Sequence, residues 1–267
     1  MSFVFAIVAT GERRYVEEAL ASIRWHHQQR PKSRSIVYVD AGPAIDAGPA
    51  EVRTLTPIPS SLPPMVVGWY RKTQVLRELL ASTDEPICLL DTYARVLRPD
   101  LLDDAVELAD RFHLCLSLDP RRTLERELKG GRGIGPEIQA QLAPIPSSFP
   151  LWNTGVVLAQ SHPASRTLVE TWERLSRQYL DRGILFREQL TLIEAAWETS
   201  IAPFTLPESF NVRRPWIEPA IVLHTRRFGH AYGLPEVDRP EQWGERWRHR
   251  LKMMLGRVSG LDRWFSP

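Results

Sequence analysis

The chain has 267 residues, of which 43% are hydrophobic and 25% charged. This composition excludes collagen, low-complexity disorder and a disulfide scaffold, and the chain is long enough to bury a core. Lys and Arg number 34 against 32 Asp and Glu, and the resulting net charge of +2 gives no global electrostatic case for a nucleic-acid partner.

Residues 3–9 form an apolar run rich in Val and Phe, the pattern of a strand buried on both faces. Residues 12–27 follow with Val16, Leu20 and Ile23 at helical spacing. Residues 35–39 read as a second strand, ending at Asp40. The Gly-Pro pairs of 42–50 mark a turn, 51–55 suit a short strand, and the prolines of 57–64 deny regular structure. The spacing predicts a helix over 70–80 with Leu76, Leu79 and Leu80 inward, then a buried strand over 86–90 ending at Asp91. Pro99 opens a helix where its missing N–H costs nothing. Residues 112–118 read as a strand ending at Asp119. Residues 130–150, with Gly130, Gly131, Gly133 and Gly135, read as a long polar loop over a cleft, and the glycine spacing is not that of a dinucleotide fingerprint. A strand over 152–159 and a helix with Leu168, Trp172, Leu175 and Tyr179 on one face come next. A helix over 186–197 and a short strand over 221–223, ending at His224, complete the pattern.

This order argues for an α/β fold with a mostly parallel sheet flanked by helices. In open sheets of that kind ligands bind outside the carboxyl ends of the strands. Asp40, Asp91 and Asp119 each stand at such an end, where a carboxylate serves either a site or the cap of the next turn. Cys88 and Cys115 sit in apolar runs with no CxxC, as small buried hydrophobes do. No stretch reaches the about 18 apolar residues of a membrane span, and nothing near the start reads as a signal peptide, so a cytoplasmic protein is expected. The division expected is a domain over 1–239 and a helical extension over 240–267. In the extension Trp243, Trp247, Leu251, Met254 and Leu255 form one apolar stripe, and six Lys/Arg outnumber three Asp/Glu over 241–267. Such a helix either packs on the domain or makes a peripheral contact with a membrane surface.

Six ordered pieces carry a family likeness: Ala9-Thr10-Gly11 with Tyr15; Trp69-Tyr70-Arg71-Lys72-Thr73; Leu90-Asp91-Thr92-Tyr93; Trp152-Asn153-Thr154-Gly155-Val156; Arg187-Glu188-Gln189; and Leu206-Pro207, Phe210-Asn211 and Ile221-Val222-Leu223-His224. Through them the chain resembles the GT-A nucleotide-sugar glycosyltransferases, in particular the family 8-like, glycogenin- and galactosyltransferase-like branch. The likeness spans roughly residues 3–230. It implies transfer of a sugar from a nucleotide diphosphate, a UDP-sugar foremost, to a hydroxyl of a glycan or glycolipid acceptor, with the bacterial surface as the setting. A retaining outcome goes with that branch.

By the same likeness Thr10, Tyr15 and Asp40 belong to the nucleotide site, and Lys72 to the diphosphate. Asp91 and His224 become ligands of Mn²⁺ or Mg²⁺, Asn153 lines the sugar pocket, and Glu188 meets a sugar. Glu188 and Asp119 are the candidate bases of an inverting variant. Tyr93 stands where the family pattern has the second Asp of Asp-x-Asp. A phenol, with an ordinary pKa of about 10, is a poor ligand at neutral pH. Three arrangements are open: a metal held by Asp91 and His224 with waters; neutralisation by Lys72, Arg95, Arg226 and Arg227; or a catalytically inactive nucleotide- or glycan-binding partner protein.

Overall fold

The computed structural model describes residues 3–40, 46–130, 134–213 and 220–224. The chain divides into two compact units, Met1–Thr225 and Arg226–Pro267, and every described residue belongs to the first. The expectations for Arg226, Arg227 and the extension over 240–267 lie outside the described residues.

Seven strands form one sheet in the order β3-β2-β1-β4-β7-β6-β8. They are β1 (Val4–Ala9), β2 (Arg34–Asp40), β3 (Glu51–Leu55), β4 (Ile87–Leu90), β6 (Leu114–Thr123), β7 (Pro150–Ala159) and β8 (Phe204–Leu206). β5 (Ala94–Val96) and β9 (Val222–His224) form a separate antiparallel ribbon. The pairings β1–β2, β1–β4, β2–β3 and β6–β8 are parallel. β7 runs antiparallel to both β4 and β6. One reversed strand in a sheet of six like-directed ones has a direct consequence. The start of β7, not its end, lies beside the carboxyl ends of its neighbours: Leu90 pairs with Val156, and Leu118 with Trp152.

The pleat sends alternate residues to opposite faces, and both faces are covered. Phe3, Phe5 and Ile7 pack with Ala19 and Ile23 of α1 (Arg13–Gln29) and with Leu102, Ala105 and Val106 of α3 (Pro99–Phe112). Val4 and Ala6 pack on the other face with Leu76 and Leu79 of α2 (Pro64–Ser82), Trp172 of α6 (Pro163–Asp181) and Leu192 of α7 (Glu188–Thr199). Cys88 and Cys115 are buried free thiols. Among the described residues no helix is long and apolar enough to cross a membrane.

Three expectations are corrected. α2 starts at Pro64 rather than Tyr70, because a proline at the first turn lacks only an N–H that has no helical partner there. Phe112 closes α3, and His113, at φ 65°, makes the left-handed turn before β6. The loop expected over 130–150 contains a helix: α4 (Leu124–Gly130) precedes it, and α5 (Pro136–Leu142) buries Ile138 and Leu142. With Ile134 and Ile145 these pack against Tyr70, Tyr179 and Phe186. Ile134, Ile138, Leu142 and Ile145 recur at helical spacing, which Gly135, the prolines and the polar residues between them obscured.

Candidate active site

The carboxyl edge of the sheet gathers most of the residues singled out from the sequence. Gly11, at φ 90°, turns the chain out of β1, and its N–H donates to Asp40 Oδ2 at 2.9 Å. Asp40 therefore holds the β1–α1 turn. Thr10 packs on Gly68 so closely that a Cβ there would lie 2.9 Å from Thr10 Oγ1. Gly68 is one helical turn before Lys72, so Thr10 stands one turn from the next group. Tyr15 is half-buried at the start of α1, with the Arg14 guanidinium 4.9 Å from its ring centroid.

Lys72 is buried on α2, and three acceptors surround its ammonium: Asp91 Oδ1 at 2.5 Å, Glu188 Oε1 at 3.1 Å and the Thr154 carbonyl at 3.2 Å. An ammonium has three donors, so Lys72 is saturated. Burial opposes its charge, but the two carboxylates outweigh burial and hold its pKa above the ordinary value. Burial alone would likewise raise Asp91; Lys72 and His224 together keep it well below the usual carboxylate range. Glu188 opens α7, where the helix dipole favours an anion. Trp172 Nε1 donates to the Glu188 carbonyl at 2.9 Å and pins that helix start. Thr154 Oγ1 donates to Glu188 Oε1. Glu188 Oε2 is buried and has no hydrogen-bond partner among the described residues. An ionised oxygen in that position is an acceptor waiting for a hydroxyl.

A second chain of bonds runs from Asp119 to Asp91, and its direction is fixed from one end. A carboxylate only accepts, so Asn153 presents Nδ2 to Asp119 Oδ2, at 3.1 Å. Asn153 Oδ1 then accepts from Gly155 N–H at 3.0 Å and from Asn211 Nδ2 at 2.7 Å. That turns Asn211 Oδ1 toward His224 Nδ1, at 2.7 Å, and so places a proton on Nδ1. His224 Nε2 faces Asp91 Oδ2 at 2.7 Å. Tyr93 stacks on the imidazole with 4.9 Å between centroids and 9° between planes. Gly155 makes room for it: a Cβ there would lie 2.0 Å from His224 Cε1. Asp91 itself is held in register by its N–H, which donates to the Gly155 carbonyl at 2.9 Å.

With Nδ1 protonated and Asp91 ionised, the contact between Nε2 and Oδ2 needs a positive charge between them, either a proton or a metal ion. Burial pushes the His224 pKa down, with Asp91 opposing, so burial resists the proton. An imidazole whose far nitrogen is fixed by an amide has the usual arrangement of a metal ligand. A carboxylate and an imidazole are donors that a hard divalent ion accepts, so Asp91 and His224 are the residues that would hold one. No group of three His, Cys, Asp or Glu suited to a metal occurs among the described residues, so no third protein ligand of those types joins the pair.

Two expectations change here. Arg95 is not available to a diphosphate: it is buried beneath α1, where it donates to the carbonyls of Ala94 at 3.0 Å and Thr92 at 3.3 Å. Asp119 accepts four bonds, from Arg121 N–H and Nε, Asn153 Nδ2 and Gln189 Nε2, which occupies all its lone-pair positions. Burial would raise its pKa, but Arg121 keeps it lowered. It aims Asn153 rather than acting as a base. Residues that the sequence reading left out of the site are Thr154, Gln189, Asn211 and Arg121. The first three sit in the quoted motifs, Thr154 and Gln189 directly beside Asn153 and Glu188, and Arg121 lies two places past Asp119.

No family model matches the sequence, and no curated protein matches it. Solved structures do. The galactosyltransferase LgtC, in complex with donor and acceptor sugar analogs, superposes with a TM-score of 0.57 at 17% identity over 91% of this chain and 99% of LgtC. The fold is GT-A. An active-site mutant of LgtC gives a TM-score of 0.50 at 15% identity over the same shares. At these identities the likeness fixes the layered sheet and its order, and the chemistry rests on the residues described above.

Proposed function

We propose that this chain transfers a sugar from a nucleotide diphosphate to a hydroxyl of an acceptor. The observation that carries the reading is the buried Lys72 ammonium bridging Asp91 and Glu188 at the carboxyl edge of a GT-A sheet, beside the unpartnered Glu188 Oε2. A sugar bristles with hydroxyls, and one of them satisfies Oε2. Lys72 fixes both carboxylates, and Asn153 is aimed by Asp119 and Asn211. Thr10 and the turn tied by Asp40 leave backbone near the strand ends for a base and ribose, with Tyr15 as a flat neighbour. UDP is the nucleotide the family likeness implies. A glycan or glycolipid of a bacterial surface is the acceptor class we assign, handled in the cytoplasm or at the inner face of a membrane.

The reaction is a substitution at the anomeric carbon. The acceptor oxygen forms a bond to it, the bond to the diphosphate oxygen breaks, and the hydroxyl proton leaves to a base. In the retaining course that we favour, the departing phosphate takes that proton. Asp91 and His224 would hold Mn²⁺ or Mg²⁺, whose charge would offset that of the leaving diphosphate. Lys72, Asp91 and Glu188 together carry one net negative charge. That balance suits a site made for hydroxyls and a cation.

Calorimetry of the full chain with a panel of nucleoside diphosphates, with Mn²⁺ and with chelator, tests the reading. We expect one nucleotide to bind, more weakly with chelator, and Asp91→Asn to abolish the metal-dependent part. Binding indifferent to chelator would remove the metal and keep the transferase. No binding to any nucleotide would refute the transferase reading and favour the inactive partner protein, which the Tyr93 ring at the place of a carboxylate also suits.

A further inference from the structure

Beside the site lies a second charged group. β6 loses register with β7 between Leu118 and Thr123, and Arg122 within that stretch has φ 66°. A bulge with a non-glycine residue in the left-handed region re-aims side chains at some cost in strain. The re-aimed segment presents Arg121. Its Nε lies 2.9 Å from Asp119 Oδ1, and its guanidinium also pairs with Glu127. Arg187 pairs with Glu127 from the other side, and Arg213 stands 3.8 Å from Asp119 Oδ2. The two carboxylates are at most 1% exposed, while the side chains of Arg121, Arg187 and Arg213 are 38%, 27% and 40% exposed. Two buried anions thus hold three cations at the surface.

Among the described residues of this group, two guanidinium groups neutralise two buried carboxylates and the third leaves a surplus of one positive charge. Arg213 is that third: at 3.8 Å it makes no hydrogen bond to Asp119. The rim is joined to the transfer site through Asp119, which Asn153 and Gln189 both contact, and through Arg187, the neighbour of Glu188. Among the described residues this rim carries a net positive charge. We propose that the arginine rim binds an oxyanion, a phosphate ester or a carboxylate, on the acceptor, so that the acceptor is an acidic sugar or a phosphorylated glycan. The Arg121 guanidinium, held on two buried carboxylates, presents its remaining N–H donors in a fixed direction beside Arg213, as oxyanion recognition requires. The inference rests on the transferase reading for the word acceptor, but the rim's preference for anions is measurable without any nucleotide.

The probes are methyl β-glucuronide and glucose 6-phosphate against methyl β-glucoside and glucose, titrated into the full chain in chelator, with and without the nucleotide diphosphate selected above. The anionic probes are expected to bind roughly tenfold to a hundredfold more tightly than the neutral ones, as charge-assisted bonds do, and the margin to shrink as salt rises. The two probes distinguish phosphate from carboxylate. Arg213→Gln is the clean variant, because Arg121 and Arg187 also stabilise buried carboxylates; it is expected to remove most of the margin while melting like the wild type. Arg174→Gln, which breaks an exposed pair with Glu198, controls for lost surface charge and is expected to keep the margin. Equal binding of charged and neutral probes overturns the inference. So does a margin that survives Arg213→Gln, or an anionic probe that the nucleotide diphosphate displaces. Failure of every nucleotide to bind, with the margin intact, overturns the transferase reading and leaves the anion site standing.

Discussion

Replacing Lys72 with Met keeps the length of the side chain and removes the one cation between Asp91 and Glu188. Their side chains are 20% and 12% exposed, so neither carboxylate recovers full hydration when the ammonium is gone. Breaking a buried ion pair by removing one partner costs about 3–5 kcal/mol. For a domain of 150–250 residues each kcal/mol lowers Tm by about 2–4 °C, so Lys72→Met is expected to lower it by roughly 6–20 °C. The sign of the pH dependence discriminates further. In the wild type Asp91 is held below its unfolded pKa, so its contribution is present above the ordinary carboxylate range and is lost as pH falls. In Lys72→Met the largest influence holding Asp91 down is gone, so less of that contribution remains to be lost in acid. The stability gap between variant and wild type should therefore stay level down to the ordinary Asp value of 3.8 and narrow as pH falls below it. Lys72→Met with Glu188→Gln, which removes one anion while Gln still accepts from Thr154, should recover part of the loss. Urea unfolding at several pH values measures all of this. A variant that melts with the wild type, or a gap that widens in acid, would refute the charge-bridge account.

The sheet was legible because its central strands are buried on both faces and so read as unbroken apolar runs: 3–9, 35–39, 86–90 and 152–159 all fall on strands. β5 and β8 have three residues each, too few for a period to show. The direction of β7 was not legible, since one strand's sequence says nothing of its orientation. Yet that reversal brings Asn153 and Gly155, at its start, to the edge where Asp91 ends β4. Lys72 was ambiguous for a similar reason: a helical lysine is ordinarily solvated, and only the approach of Asp91 and Glu188, far away in the chain, makes it a buried bridge. Arg95 shows the converse error. Four residues from Asp91, it looked available, but it is buried with its guanidinium on the carbonyls of Thr92 and Ala94. Asn211 was visible only as half of a Phe-Asn pair, and its role appears once it is seen joining His224 to Asn153.

Gly155→Ala should expel the His224 ring, whose Cε1 would stand 2.0 Å from the new methyl, and break its two 2.7 Å bonds. A loss of about 2–4 kcal/mol in urea unfolding, with metal-dependent nucleotide binding gone, is expected. Gly68→Ala meets only the movable hydroxyl of Thr10, at 2.9 Å, and gains helix propensity, so its stability should stay within about 1 kcal/mol of wild type. His26 gives a test far from the site. It is buried against Phe5, with ring centroids 4.5 Å apart, and its Nε2 accepts from Val96 N–H at 3.4 Å. Burial first, then the charge of Arg95, pushes its pKa down from 6.5 to about 3. The folded protein therefore refuses a proton that the unfolded chain takes up, so stability present above pH 6.5 is lost as pH falls toward 3. Between pH 6.5 and about pH 5 this one group should remove about 2 kcal/mol, at 1.36 kcal/mol per unit. His26→Phe keeps the stacking and cannot titrate. It should be less stable than wild type at pH 7, having lost the Val96 acceptor, yet flatter with pH by that amount. An unchanged slope in unfolding free energy would show that His26 is already protonated in the native state or reaches water there.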